Sequence, residues 1–187
     1  MPKNTAPPPD WELVLSSAAR LQRILPDAVL VGGTASAIHA AHRFSRDADH
    51  VLGSLDGIET GVRQLIRDEP LETTIVNYQG ERITVPTEGE ILRIKGVLIL
   101  KRNATRDYLD FVALADHMGD DNIALALQSF DRLYLQASGE SPLQQLQVQL
   151  ANAVPYDLEE TELSEYKNLD PRWHDWRTVT AACSRLA

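Results

Sequence analysis

Residues 29–49 read VLVGGTASAIHAAHRFSRDAD. Val29 to Val31 is an unbroken apolar run of the kind a buried strand uses, and Gly32-Gly33 follows where a side chain would obstruct a tight turn. Thr34 to Ala41 is helix-forming, so the segment predicts strand, Gly-Gly turn, helix. The amides at that helix start lack intrahelical partners, and the helix dipole adds to their preference for an anion such as phosphate. Asp47 and Asp49 come next. Residues two apart on a strand share a face, with Cα atoms about 6.5 Å apart, so a short strand beginning at the carboxylates sets both beside the glycine turn. Mg²⁺ is held by one or two carboxylates together with phosphate oxygens. Asp47 and Asp49 are therefore candidate ligands of Mg²⁺ or Mn²⁺. A solvated acidic strand end is the commoner source of Asp-x-Asp, and the pair gains weight only when joined to a second region.

That region is residues 88–119, EGEILRIKGVLILKRNATRDYLDFVALADHMG. Lys95 and Arg102 lie seven apart and so near one face of a helix, in a stripe otherwise apolar with Ile91 and Leu98. A lysine in such surroundings either snorkels to water or aims at a buried anion. On the next helix Asp107 and Asp110 share a side at i and i+3. Two readings stand together here. One makes Arg102, Arg106 and Asp107 part of an ion-pair network between the two helices, and the other makes Arg93, Lys95, Lys101, Arg102 and Arg106 a local basic footprint.

Around these regions the chain reads as α+β. PKNTAPPP is an extended or disordered lead, and Asp10 opens a helix to about Ile24 that Pro26 ends. A helix is expected near Gly57 to Arg67 after Asp56, and TTIVNYQ and ERITVP form a hairpin about Gly80. Thr87-Glu88-Gly89-Glu90 matches the capping box that starts the Lys95 helix. Helices are then expected over Asn122 to Gln136, from Ser141-Pro142 to about Val154, and from Asp170-Pro171 to the end. Trp173 and Trp176, with Val179 and Ala182, read as a core stripe, and His39 and His42, lacking a third ligand, read as packing or surface residues. The expected organisation is a lead at 1–9, a core at 10–118 carrying a small mixed sheet flanked by helices, and a helical region at 119–187.

The composition narrows the class. With 187 residues, 43% hydrophobic and 24% charged, the chain has material for one ordinary core. A net charge of −9 disfavours a broad nucleic-acid surface, which needs many cations to displace counterions. The single Cys183 forms no internal disulfide, no run approaches the roughly 20 apolar residues of a membrane span, and the N-terminus lacks a signal peptide's apolar core. These features lead us to expect a cytoplasmic protein with no membrane partner.

VGGTASAIHAAHRFSRDAD and IKGVLILKRNATRDYLD together resemble the motifs of AbiEii/AbiGii-type nucleotidyltransferases, toxins of type IV toxin–antitoxin systems. Those proteins carry Gly-Gly-Thr-Ala, then Arg-x-Ser-x-Asp-x-Asp, then a helical lysine before Arg-Asp-x-x-Asp; the likeness covers about Val29 to Asp116. The resemblance implies a DNA polymerase β-like nucleotidyltransferase fold that transfers a nucleotidyl group from an NTP to an RNA acceptor, with tRNA as one class, beside an antitoxin partner. Carried over, Gly32, Gly33, Thr34 and Ser45 cradle phosphate and Asp47 and Asp49 hold Mg²⁺. Lys95, with Arg102 and Arg106, contacts the triphosphate, and Asp110 is the later family acid; Asp47, Asp49, Lys95 and Asp110 form the catalytic set. The hairpin offers no acid at a strand centre, only Glu72 and Glu81 at its margins. That leaves open a catalytically inactive binding or regulatory module of the same fold, and a small helical interaction protein with no nucleotide site.

Overall fold

The computed structural model describes residues 9–45, 47–52 and 69–187. Of the lead expected at 1–9, residues 1–8 lie outside the described residues, as does the helix expected near Gly57 to Arg67, and Pro9 belongs to the first helix. Helix α1 (Pro9–Ile24) begins with a proline, whose missing N–H costs nothing at a helix start, and carries Asp10 and Glu12 in its first turn, where the dipole favours acids. Strand β1 (Ala28–Leu30) follows and is wholly buried. Helix α2 (Gly32–Ala40) takes up the glycine pair as its first two residues, where the sequence suggested a separate turn before Thr34.

Strand β2 (His50–Leu52) pairs antiparallel with β1, Leu30 opposite His50 and Ala28 opposite Leu52. Asp47 and Asp49 precede this strand, where the expectation had it begin at the carboxylates. The extended backbone still reaches them, since Val31 N–H donates to the Asp49 carbonyl at 2.8 Å. Strands β3 (Thr73–Tyr78) and β4 (Glu81–Pro86) form a hairpin closed by Gln79 and Gly80, both at positive φ (49° and 83°). Such a two-residue turn matches the twist of the strands it joins. Among the described residues the expected single mixed sheet is two antiparallel pairs, β1 with β2 and β3 with β4, with β4 beside β1.

Helix α3 (Glu88–Arg102) starts on Thr87, whose Oγ accepts from Glu90 N–H at 3.2 Å. The reciprocal half of the capping box is absent: Thr87 N–H donates to the Glu72 carbonyl at 2.9 Å, and the buried Glu90 carboxylate meets Arg93 at 2.6 Å. Every residue of α3 from Glu90 to Ile99 is buried, so it is a central helix and its charged members need internal partners. Helix α4 (Thr105–Met118) packs along it.

The expected helix over 122–136 divides into α5 (Asp120–Leu127) and α6 (Phe130–Leu133). Helix α7 (Pro142–Ala151) is capped by Ser141. The last expected helix begins late: Pro171–Trp173 is a 3₁₀ turn, and α8 (Trp176–Leu186) starts from Asp175, whose carboxylate accepts from Arg177 N–H. One apolar core joins α3, α4, α5, α7 and α8. A second joins Trp11, Leu15, Ala18 and Ala19 of α1 to Leu30, Ala37, Phe44, Ile83 and Val85. The stretch between α2 and β2 hangs from this second core through Phe44.

Candidate functional site

A hollow of about 620 Å³ opens between the start of α2, residues 43–45 and 47–50, and the side of α3 that carries Lys95 and Arg102. Gly32, Gly33, Ser45, Asp47, Asp49, Lys95, Arg102 and Arg106 of the sequence-derived set all line it. Thr34 and Asp110 do not. Thr34 is fully buried and its Oγ donates to the Asp47 carbonyl, so it fixes the backbone that presents the aspartates and cradles no ligand.

The glycine pair is required by close approach. Gly32 sits at φ +73°, and a Cβ there would stand 2.7 Å from Asp49 Oδ2; at Gly33 a Cβ would stand 2.5 Å from Arg43 Nη2 and 3.2 Å from Ser45 Oγ. Asp47 and Asp49 are exposed, and among the described residues neither carboxylate is in an ion pair. Two unpaired carboxylates on one hollow suit a hard divalent cation that completes its shell with water or ligand oxygens. Glu165 lines the same hollow, but among the described residues no three His, Cys, Asp or Glu side chains are grouped to hold a metal ion.

Beneath the hollow lies a buried ion network. Arg43 forks onto Asp110 through Nε (2.7 Å) and Nη2 (2.9 Å). Lys95 Nζ stands 2.7 Å from Asp110 and 3.3 Å from Asp107, and His42 Nε2 is 2.7 Å from Asp110. Arg102 forks onto Asp107 at 2.5 and 2.7 Å. Burial raises the Asp110 pKa, but Arg43, Lys95 and the His42 hydrogen bond outweigh it and hold the carboxyl well below its usual range. Asp110 is thus fully engaged by three side chains, which corrects its assignment as a catalytic acid. Lys95 is likewise held by two carboxylates, so its charge supports the floor of the hollow and does not project freely to a ligand. Arg106 is exposed, and no described carboxylate pairs with it. It is the cation best placed to meet an incoming anion.

His42 and Arg43 escaped the sequence reading as site residues, although Arg43 opens the Arg-x-Ser-x-Asp-x-Asp string. Glu165, Tyr166 and Lys167 form a further wall, tied on by Phe44 N–H to the Lys167 carbonyl (2.9 Å) and Asp170 N–H to the His42 carbonyl (2.7 Å). No local signal marked them, because only packing brings this stretch to the cleft. Cys183 takes no part: it is buried far down α8, and burial pushes its thiol up to about 12.

Two consequences can be measured. Gly33→Ala drives a methyl into Arg43, which cannot recoil while forked onto Asp110, and the expected loss is about 1–3 kcal/mol of unfolding free energy, read from denaturant midpoints. Burial lowers the His42 pKa against the opposing pull of Asp110. The unfolded chain, with an ordinary histidine pKa near 6.5, therefore binds the proton more readily than the folded one. Stability should be full above about pH 6.5 and fall below it as the pH drops toward the lowered folded value; a His42→Gln chain should lose that part of the slope.

Taken together, these residues make a mixed-charge cleft in which Asp47, Asp49 and Arg106 share one hollow. The chain is 33% identical over 195 residues to the heme uptake protein MmpL11 of Mycobacterium tuberculosis (strain H37Rv), a match that covers 81% of this chain and 20% of that protein. It is 36% identical over 124 residues to the mycolic acid-containing lipids exporter MmpL11 of Mycolicibacterium smegmatis, covering 65% of this chain and 13% of that protein. The probable transport protein MmpL11 of Mycobacterium bovis matches at 33% over 195 residues. The chain spans about a fifth of the length of the first of these relatives. No family model and no solved structure matches.

These relatives overturn the AbiEii resemblance. They are named for transport, heme uptake and lipid export, and none for nucleotidyl transfer, an NTP, an RNA acceptor or an antitoxin. The toxin reaction, its inactive variant and those partners are withdrawn with it, as is the expectation that membranes have no part. Gly-Gly turns and Asp-x-Asp strings serve anions and cations in many settings, so the short motifs matched without common function.

Proposed function

We propose that this chain is a binding domain of an MmpL11-like transport system, whose cleft takes an anionic group together with a divalent cation, Mg²⁺ or Mn²⁺, on Asp47 and Asp49. One observation carries the reading: Asp47, Asp49 and Arg106, none of them in an ion pair among the described residues, and the uncapped start of α2 all meet on one hollow. Its floor adds net positive charge, since Arg43, Lys95 and Arg102 outnumber Asp107 and Asp110. A cation on the aspartates would remove the repulsion that they otherwise present to an anion. The identity to transport proteins supplies the setting, and no described helix is long and apolar enough to cross a membrane.

Calorimetry on the purified chain with inorganic phosphate, and with hexanoate as a carboxylate probe, tests the site. Mg²⁺ should tighten anion binding within the range of about 5–150-fold typical of coupled ligands, and the Asp47→Asn/Asp49→Asn chain should lose that enhancement. Binding indifferent to both would refute the cleft. The setting is tested by replacing the aligned segment of the M. smegmatis exporter with this chain; export of mycolic acid-containing lipids should persist, and fail when Arg106→Glu is included.

A further inference from the structure

We infer that the outer face of α7, with the groove beside it, is a self-association surface that takes a second copy of this chain. The groove shares no lining residue with the Asp47–Asp49 cleft, and the inference does not depend on the function proposed above. Residues 141–156 read SPLQQLQVQLANAVPY and contain no charged side chain, in a chain that is 24% charged.

Helix α7 buries Pro142, Leu146 and Leu150 and turns its other side outward. Val148 follows Leu146 by two residues, about 200° round the helix, and is 71% exposed. Gln144 and Gln147 are exposed on the same side, so the outward face is neutral. Val154 and Tyr156, just beyond the helix, are exposed as well. A groove of about 640 Å³ runs between α5, α7 and the end of α8, with Gln147 on its wall and Leu125, Leu127, Leu143 and Leu186 giving it an apolar lining. Leu125 is 70% exposed there. The charged groups of the groove, Asp120 and Arg185, neutralise each other at 2.7 Å.

Charge selects the occupant. The chain carries a net charge of −9, so two copies repel wherever acidic faces meet. Along residues 141–156 they meet without opposing carboxylates, and loss of charged side chains in favour of apolar ones is what marks the core of a protein interface. A projecting Val148 and an apolar groove on one face also suit twofold pairing, in which the side chain of each copy enters the groove of the other. A contact of that kind closes at two copies.

Sedimentation equilibrium on the full chain at rising concentration tests this, and the mass should climb from monomer to dimer and stop there. Val148→Glu and Leu125→Glu should each weaken dimerisation by at least about tenfold, as for residues at the centre of an interface. Ile24→Glu is the control: Ile24 is exposed on α1 and the replacement adds the same charge, so association should be unchanged. All three side chains are exposed, and each chain should keep its melting temperature as a dilute monomer. Added salt screens the repulsion between two acidic chains and should therefore strengthen the dimer. Monomer mass at every concentration, growth past the dimer, an equal loss in the Ile24→Glu chain, or dissociation on adding salt overturns the inference.

Discussion

Asp110→Ala should lower the unfolding free energy by about 3–5 kcal/mol, the range for removing one partner from a buried ion pair. The carboxylate is fully buried and receives Arg43 through two hydrogen bonds, with Lys95 at 2.7 Å and His42 at 2.7 Å. Deleting it leaves two buried cations facing one another. Urea unfolding with an unchanged m-value measures the loss as stability and not as a change in the unfolded state. Lys95→Met provides the contrast. There Asp110 keeps Arg43 and His42, and Asp107 keeps Arg102, so the expected cost is well below that of Asp110→Ala. Equal losses in the two chains would show that the carboxylate is not the hub.

The acid limb carries the same signature. The folded pKa of Asp110 is depressed, so its contribution is present above the ordinary carboxylate value near 3.9 and is lost only as the pH falls through the lowered folded value. Histidine-linked loss sets in below about pH 6.5, and the Asp110 loss should follow at much lower pH.

Trp11→Ala should cost a similar amount, about 3–5 kcal/mol, as expected for a large aromatic removed from a core. Trp11 is 1% exposed and its ring lies against Phe44, with centroids 5.0 Å apart at 51°. Phe44 sits between Arg43 and Ser45, so the packing of α1 sets the position of the loop that offers the aspartates. The replacement should also speed amide exchange over residues 42–45 and 47–50 more than within α4, whose core is the other one. Uniform acceleration in both places would mean that Trp11 supports the whole molecule and not the cleft in particular.

Short-range physics made much of this legible in advance. The strand, glycine pair and helix follow from apolar runs and the need for room beside Asp49 and Arg43; the hairpin follows from Gln79-Gly80; and α3 begins where Thr87 can accept from Glu90. Asp47 and Asp49 stand on the same hollow as the glycines because only a few residues separate them from a strand that pairs with β1. The chemistry of α3 and α4 was less accessible. Spacing put Asp107 and Asp110 on one side of a helix, yet a carboxylate at that spacing can equally be a ligand for a metal or an anchor for cations. Arg43 and His42 settle it by arriving from the far end of α2, and their arrival depends on how α2 packs against α4. The wall from Glu165 to Lys167 reaches the cleft through backbone hydrogen bonds to residues more than a hundred positions earlier in the chain. Local sequence fixes which groups exist and which neighbours share a face; long-range packing fixes which charges are neutralised in the interior, and only those left over can bind anything.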